Sequence, residues 1–347
     1  MDRKKVILGL SGGVDSSTSA YMLKEDGFEV VGVTLICSEE QKKSQDLLDA
    51  KKLAKKLKIK HIVLDIVEEF KEKIIKYFID EYSNGMTPSP CVICDEKIKI
   101  KKLLEIADLE NAYFIATGHY CEIEEENSFE ETLLKKPKDE RKDQGYMLYR
   151  IKPENLKRII FPLAKYEKIV VRDRAKKYGI DMHDKKDSQG ICFAKEGYLA
   201  FLKNNLKENI KPGNFIDKDG NILGKHQGYQ LYTIGQRRGL GIIFSRVYFI
   251  LDIIPGSNEI ILGDYIELNK KRVELDNFVL HISKERLKRL SLVAKPRFSS
   301  CGFSGKIIFE EEKVYFEYEK ENPQNAKGQH LVIYSDEFVI GGGKIIF

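Results

Sequence analysis

Residues 8–17 read Leu-Gly-Leu-Ser-Gly-Gly-Val-Asp-Ser-Ser. An apolar run ends in two glycines, and a helical pattern begins at once. Glycines let a backbone turn tightly and approach a ligand closely. The start of the helix that follows offers N–H groups and partial positive charge, which suit an anion. The hydroxyls of Ser11, Ser16 and Ser17 add donors. The run Gly9, Leu10, Ser11, Gly12, Gly13, Val14, Asp15 and Ser16 therefore fits a phosphate or pyrophosphate. It lacks the Gly-Lys-Ser/Thr of the common nucleotide loop and the G-x-G-x-x-G of dinucleotide binders. Asp15 is placed to hold a magnesium ion on the phosphates.

A second set of reactive groups is sulfur. Cys91 and Cys94 form a C-x-x-C within residues 87–102. Two prolines stiffen the approach, and a lysine-rich helix is expected after Asp95. Cys94 near a helix N-terminus has its thiolate favoured. Asp95 opposes that, unless its side chain caps the helix, and the net sign stays open. Cys192 lies in a polar, turn-rich segment, residues 185–193. A single C-x-x-C is half of a zinc site, a redox pair, or two of three ligands to an iron–sulfur cluster with Cys192 as the third. Cys37, Cys121 and Cys301 are scattered and read as incidental or buried.

These groups need a scaffold. Strands are expected at residues 6–10, 30–36, 61–65 and 113–117, with helices at 16–24, 41–57 and 70–82. Leu47, Ala50, Leu53, Ala54 and Leu57 recur at helical spacing. The βαβα rhythm implies an α/β domain with a doubly wound parallel sheet. The phosphate loop and His119 then fall at the carboxyl ends of strands, where ligands sit. Residues 122–131 and 135–142 read as solvated loops. From about residue 211 short strands and glycine turns replace long helices, as at Asp217–Asn221, a hairpin turn. The alternation at Val314–Tyr318 marks a small β-barrel. The expected domains are 1–205, 206–273 and 274–347.

The S-G-G-V-D-S run resembles the pyrophosphatase loop of ATP-dependent enzymes that adenylate a carbonyl oxygen. Taken with the cysteines, the chain resembles the bacterial tRNA-specific 2-thiouridylases along nearly its whole length. The matches are residues 9–17, T-P-x-P-x-x-x-C at 87–94, I-A-T-G-H-Y at 115–120 and K-D-Q-G-Y-M-L-Y at 142–149. They continue with K-K-D-S-Q-G-I-C-F at 185–193, residues 226–242 and a terminal G-G-G-K-I-I.

The resemblance implies an adenine nucleotide alpha hydrolase-like domain that binds ATP and Mg²⁺, followed by a central domain and a tRNA-binding barrel. It implies ATP-dependent 2-thiolation of the wobble uridine. By position Cys192 carries a persulfide, and Cys94 attacks it, leaving a Cys94–Cys192 disulfide for a reductant to reset. ATP contacts are implied at residues 9–16, Leu35 and Gly118. Contacts to the flipped base are implied at Ser89, Pro90 and Cys91. His119, Lys142, Asp143, Gln144, Arg297, Phe298 and Gln329 are implied to touch tRNA. Arg237 and Arg238 form a basic patch, set against RNA backbone or organising the central domain. Some relatives have Asp at the position of Cys91, and many have Asn at that of Asp95. Cys91 thus keeps open an iron–sulfur version using Cys91, Cys94 and Cys192. The sulfur donor is expected to be a desulfurase or relay protein.

The chain has 347 residues, 42% hydrophobic and 33% charged, with net charge +5, values that allow ordered cores and a nucleic-acid partner. It shows no apolar run long enough to span a membrane and no signal-peptide pattern, so a cytoplasmic protein is expected. Two competitors remain: another adenylating synthetase with the same loop, and a non-catalytic tRNA- or cluster-binding descendant.

Overall fold

The computed structural model describes residues 1–125, 131–180, 190–243 and 246–347. The chain forms two compact units. The first holds Met1–Ile74, Cys91–Gln189 and Glu337–Val339; the second holds Ile75–Pro90, Gly190–Asp336 and Ile340–Phe347. No helix among the described residues is long and apolar enough to cross a membrane.

The first unit is built on a parallel sheet. Its strands are β1 (Asp2–Gly9), β2 (Glu29–Ile36), β3 (Lys60–Asp65), β4 (Ala112–Ala116) and, after a short hairpin, β7 (Ile159–Ile160), in the order β3-β2-β1-β4-β7. Val6, Leu8 and Val30 are apolar because helices cover them. Helix α1 (Val14–Glu25) contributes Ala20 and Leu23, and α2 (Gln45–Leu57) contributes Ala50, Leu53, Ala54 and Leu57. The helix expected over 41–57 is broken at Ser44. That residue is extended, and its hydroxyl accepts from Leu47 N at 3.2 Å, so α2 starts one residue later and a short 3₁₀ turn precedes it.

The segment expected as acidic loop is partly strand. β5 (Glu122–Glu124) pairs with β6 (Leu133–Lys135), and Lys135 bridges to Glu124 and Glu337. Phe338 pairs with Lys135, and Lys136 N donates to Glu337 O. Alternation was present in Glu122-Ile123-Glu124, but three residues are too few to read against the charge. Residues 126–130 lie outside the described residues.

In the second unit a four-stranded sheet runs β10-β11-β8-β9, from β8 (Gly213–Ile216), β9 (Ile222–His226), β10 (Phe249–Ile254) and β11 (Glu259–Gly263). Phe215, Ile250, Ile260 and Leu262 bury against Phe78, Tyr82 and Leu202. The turn at Asp217–Asn221 forms as expected: Asp217 accepts from the Asp219 and Asn221 amides, and Gly220 takes φ +85°. The six strands β12 (Lys270–Leu280), β13 (Leu292–Lys295), β14 (Phe303–Glu310), β15 (Lys313–Asn322), β16 (His330–Ser335) and β17 (Phe338–Ile345) close into a barrel, β12 pairing with both β15 and β17. Every residue of β16 is buried.

Candidate active site

The strand order of the first unit turns outward from the β1–β4 pair, and such a switch point opens a crevice at the strands' carboxyl ends. β1 delivers the glycine loop, residues 9–16, there, and β4 delivers residues 117–121.

The loop is shaped by close backbone approaches. Gly12 takes φ +80°, and a side chain on it would run into the Asp46 carbonyl at the start of α2. Gly13 caps α1 with no side-chain hydrogen bond, which leaves the helix start open to an anion. The Ser11 and Ser16 hydroxyls lie 3.0 Å apart, Ser11 N donates to Ser16 Oγ, and Ser16 Oγ donates to Gly13 O. Gly118 arrives from β4, where a Cβ would sit 2.9 Å from Ser16 N and 3.0 Å from the Asp15 carbonyl carbon. Leu35 is half-buried near the end of β2, in register with Leu64. Gly9, Leu10, Val14 and Ser17 form the buried or half-buried walls of the turn.

Asp15, the residue expected to hold a magnesium ion, lies against Lys168. The Lys168 ammonium lies 2.7 Å from both carboxylate oxygens, and the Tyr120 hydroxyl donates to Oδ1 at 3.0 Å. Lys168 is 8% exposed. Its backbone N–H donates to Asp139, itself buried. Tyr120 stood within a recognised motif. Lys168 and Asp139 were missed, because the Asp15–Lys168 pair spans 153 residues of sequence.

The same β4 turn reaches the cysteine helix. His119 Nδ1 lies 2.8 Å from Thr117 Oγ1, and its Nε2 lies 3.7 Å from Asp95 Oδ1. Burial holds the His119 imidazole below its ordinary range. The helix starts at Pro90, five residues earlier than expected, and passes through a widened π turn at Asp95–Ile100. Such turns recur at functional sites. Asp95 therefore does not cap the helix. It is 2% exposed and lies 2.7 Å from the Lys99 ammonium. Burial works against the Lys99 charge, but Asp95, with the nearby thiols of Cys94 and Cys91, holds that ammonium above its usual range. Cys94 is buried beside this pair, and Cys91 is half-buried one helical turn earlier. The lysine signal sits at i+4 from Asp95 and was legible only once the helix start was placed correctly.

Gln144 is tied to Tyr120 through two bonds, Tyr120 N to Gln144 Oε1 at 2.8 Å and Gln144 N to Tyr120 O at 2.9 Å. Asp143 is buried and accepts from Gly145 N, while Lys142 is half-buried.

In the second unit, Cys192 is exposed on a turn anchored by its neighbours. Ile191 and Phe193 pack on the core, Phe193 edge-on to Phe78 and Phe201. Residues 185–189 of its motif lie outside the described residues. Ser89 and Gln329, distant in sequence, meet: Ser89 Oγ donates to Gln329 Oε1 at 3.3 Å, and Gln329 Nε2 donates to Thr87 O at 2.9 Å. Pro90 follows at the helix start. Arg297 donates to the Ile234 carbonyl at 3.4 Å, and Phe298 beside it is 46% exposed. Arg237 and Arg238 are exposed. Among the described residues no group of three His, Cys, Asp or Glu side chains is gathered as metal ligands.

Residues 4–196 match the model of a tRNA methyl transferase HUP domain. Over 99% of both chains, the sequence is 54% identical to the tRNA-specific 2-thiouridylase MnmA 2 of Fusobacterium nucleatum. This chain belongs to the tRNA-specific 2-thiouridylase family. A second family member, MnmA 1 of Clostridium botulinum, is 41% identical over 99% of each chain. A third, from Caldanaerobacter subterraneus, is 41% identical over 98% of this chain and 97% of its own. Residues 199–264 match a tRNA methyl transferase PRC-barrel domain, and residues 270–345 an aminomethyltransferase β-barrel domain. The family is one of sulfur-transferring enzymes, and its N-terminal fold is of the ATP-using kind.

Proposed function

We propose that the protein thiolates C2 of the wobble uridine in tRNA, spending ATP on adenylation of the C2 oxygen and drawing sulfur from a cysteine persulfide. The observation that carries this reading is one turn, residues 117–120. Gly118 packs against the phosphate loop, His119 approaches Asp95 beside Cys94, and the Tyr120 hydroxyl holds Asp15. A phosphate-binding loop and a nucleophilic sulfur are thereby organised by the same four residues.

The loop residues Ser11–Ser16 and Gly118 suit ATP, because the helix start is open and the Gly118 position has no room for a side chain. Bound ATP supplies an AMP leaving group for an oxygen that otherwise leaves poorly. On the sulfur side, Cys192 holds the persulfide on an exposed turn, accessible to a donor protein. The Cys94 thiolate attacks the inner sulfur of that persulfide. The S–S bond breaks, hydrosulfide departs to displace AMP from C2, and a Cys94–Cys192 disulfide remains. A dithiol reductant returns both cysteines to thiols. Lys99 places its ammonium beside Asp95 and the Cys94 and Cys91 thiols. Ser89, Pro90, Cys91, His119, Lys142–Gln144, Arg297, Phe298 and Gln329 are assigned to the RNA, and the contact of Ser89 with Gln329 supports placing those two on one surface. An iron–sulfur version would take Cys91, Cys94 and Cys192. Among the described residues no group of three such ligands is gathered.

The test is thiolation of unmodified tRNA by iron-free protein with ATP, Mg²⁺ and a persulfide donor, read by nucleoside mass spectrometry. The expected result is 2-thiouridine from the wild type and none from Cys94→Ser or Cys192→Ser. Product that appears only after cluster reconstitution would replace the relay with the cluster version. tRNA binding without any ATP turnover would reduce the protein to a binding module.

A further inference from the structure

Asp15 stands at the second residue of α1, where the helix start, Gly13 and the serine hydroxyls present an anion site. A bare carboxylate there would repel a triphosphate. Something must neutralise it, and the residue that does so is Lys168, 2.7 Å from both of its oxygens. Lys168 is no surface lysine that happens to reach across. It is the first residue of the Lys168–Lys177 helix, which packs on α1 through Val14, Ala175 and Ile180, with Tyr21 and Tyr178 stacked at 4.4 Å. Its backbone is pinned by Asp139, and its ammonium lies 5.4 Å from the Tyr120 ring. An ammonium this buried carries its charge at a large cost unless an anion stays beside it.

Two cations thus have a claim on Asp15: the lysine that holds it here, and the divalent ion that accompanies ATP. We propose that Lys168 is a positioning residue that exchanges partners when nucleotide binds. In the free enzyme it neutralises Asp15. When a divalent cation takes the carboxylate, Lys168 turns its ammonium to the phosphates that arrive with it. Lys168 thus keeps an anion beside its ammonium before and after the exchange. The proposal rests on the reading that this loop binds ATP.

The exchange predicts opposite effects on metal and nucleotide. Mn²⁺ binding to the protein without nucleotide is measured by electron paramagnetic resonance, and ATP binding in EDTA by equilibrium dialysis. Lys168→Met removes the competitor, so Mn²⁺ should bind at least tenfold more tightly, while ATP in EDTA should bind at least tenfold more weakly. Lys168→Arg should stay within about threefold of wild type in both. Asp15→Asn, which releases the lysine and removes the metal ligand, should bind ATP in EDTA more tightly than wild type, and this arm decides the matter if Lys168→Met does not fold. Unchanged Mn²⁺ affinity in Lys168→Met, unchanged ATP affinity in Lys168→Met, or weaker ATP binding by Asp15→Asn would each overturn the exchange. A wild type that binds no ATP even with Mg²⁺ would instead overturn the nucleotide reading of the loop, with the Mn²⁺ arm still deciding the competition for Asp15.

Discussion

Gly118 has no side chain because Ser16 leaves no room for one: a Cβ would sit 2.9 Å from the Ser16 amide nitrogen in the glycine loop. Gly118→Ala should therefore push the loop aside while the core stays intact. ATP affinity is expected to fall about tenfold or more, equivalent to ~1.4 kcal/mol, with little change in thermal unfolding; equal affinity would show that the contact is slack. The thiols divide by environment in the same way. Burial pushes the Cys121 thiol well above its ordinary range, whereas Cys192 and Cys301 are exposed. Iodoacetamide near neutral pH should modify Cys192 and Cys301 in the folded protein and Cys121 only after denaturation, as read by peptide mass mapping. Glycine spacing, serines and a helix start are local signals, so the tight turn into α1 was legible in the sequence. The partner of Asp15 was not, since nothing near residue 15 announces a lysine at 168.

At the scale of elements, the strand–helix alternation of the first unit was readable because each long element carries its own periodicity. Boundaries were lost where a single side chain overrides the pattern. Ser44 is one such place, splitting an apolar run that looked continuous. Removing its hydroxyl should expose the Leu47 amide at the start of α2. Ser44→Ala is expected to cost about 1 kcal/mol in urea unfolding. Because Asp46, two residues on, presses against Gly12, the same variant should also weaken ATP binding; a variant as stable as wild type would mean the cap is dispensable. The cysteine helix was misplaced for a different reason. Pro90 at a helix start fits its missing N–H, but the prolines at 88 and 90 read as an extended approach, and a widened turn at Asp95–Ile100 leaves no mark in residue spacing.

For the molecule as a whole, three histidines carry a common consequence. Burial holds His61, His119 and His226 below the ordinary imidazole range, with Lys51 adding to the effect at His61. In the unfolded chain these three imidazoles take up protons near pH 6.5, and in the fold they do so only at lower pH. Their contribution to stability is present above that pH and is lost as the pH falls through and below it. Melting temperature should drop between about pH 7.5 and 5.5, before the exposed carboxylates titrate; a flat profile would show that the three imidazoles charge freely in the fold. The two-unit division was harder to foresee, since the first unit draws on both ends of the chain. Its sheet opens with Asp2, yet the strand partner of its outer hairpin comes from Glu337–Val339, through Phe338 against Lys135. On a ribosome β1 is made long before β17, so the edge at β6 stays uncovered until Phe338 has been made. The first unit is thus completed only after Glu337–Val339 has been made. Nascent or prematurely terminated chains expose a strand edge that the completed protein keeps paired.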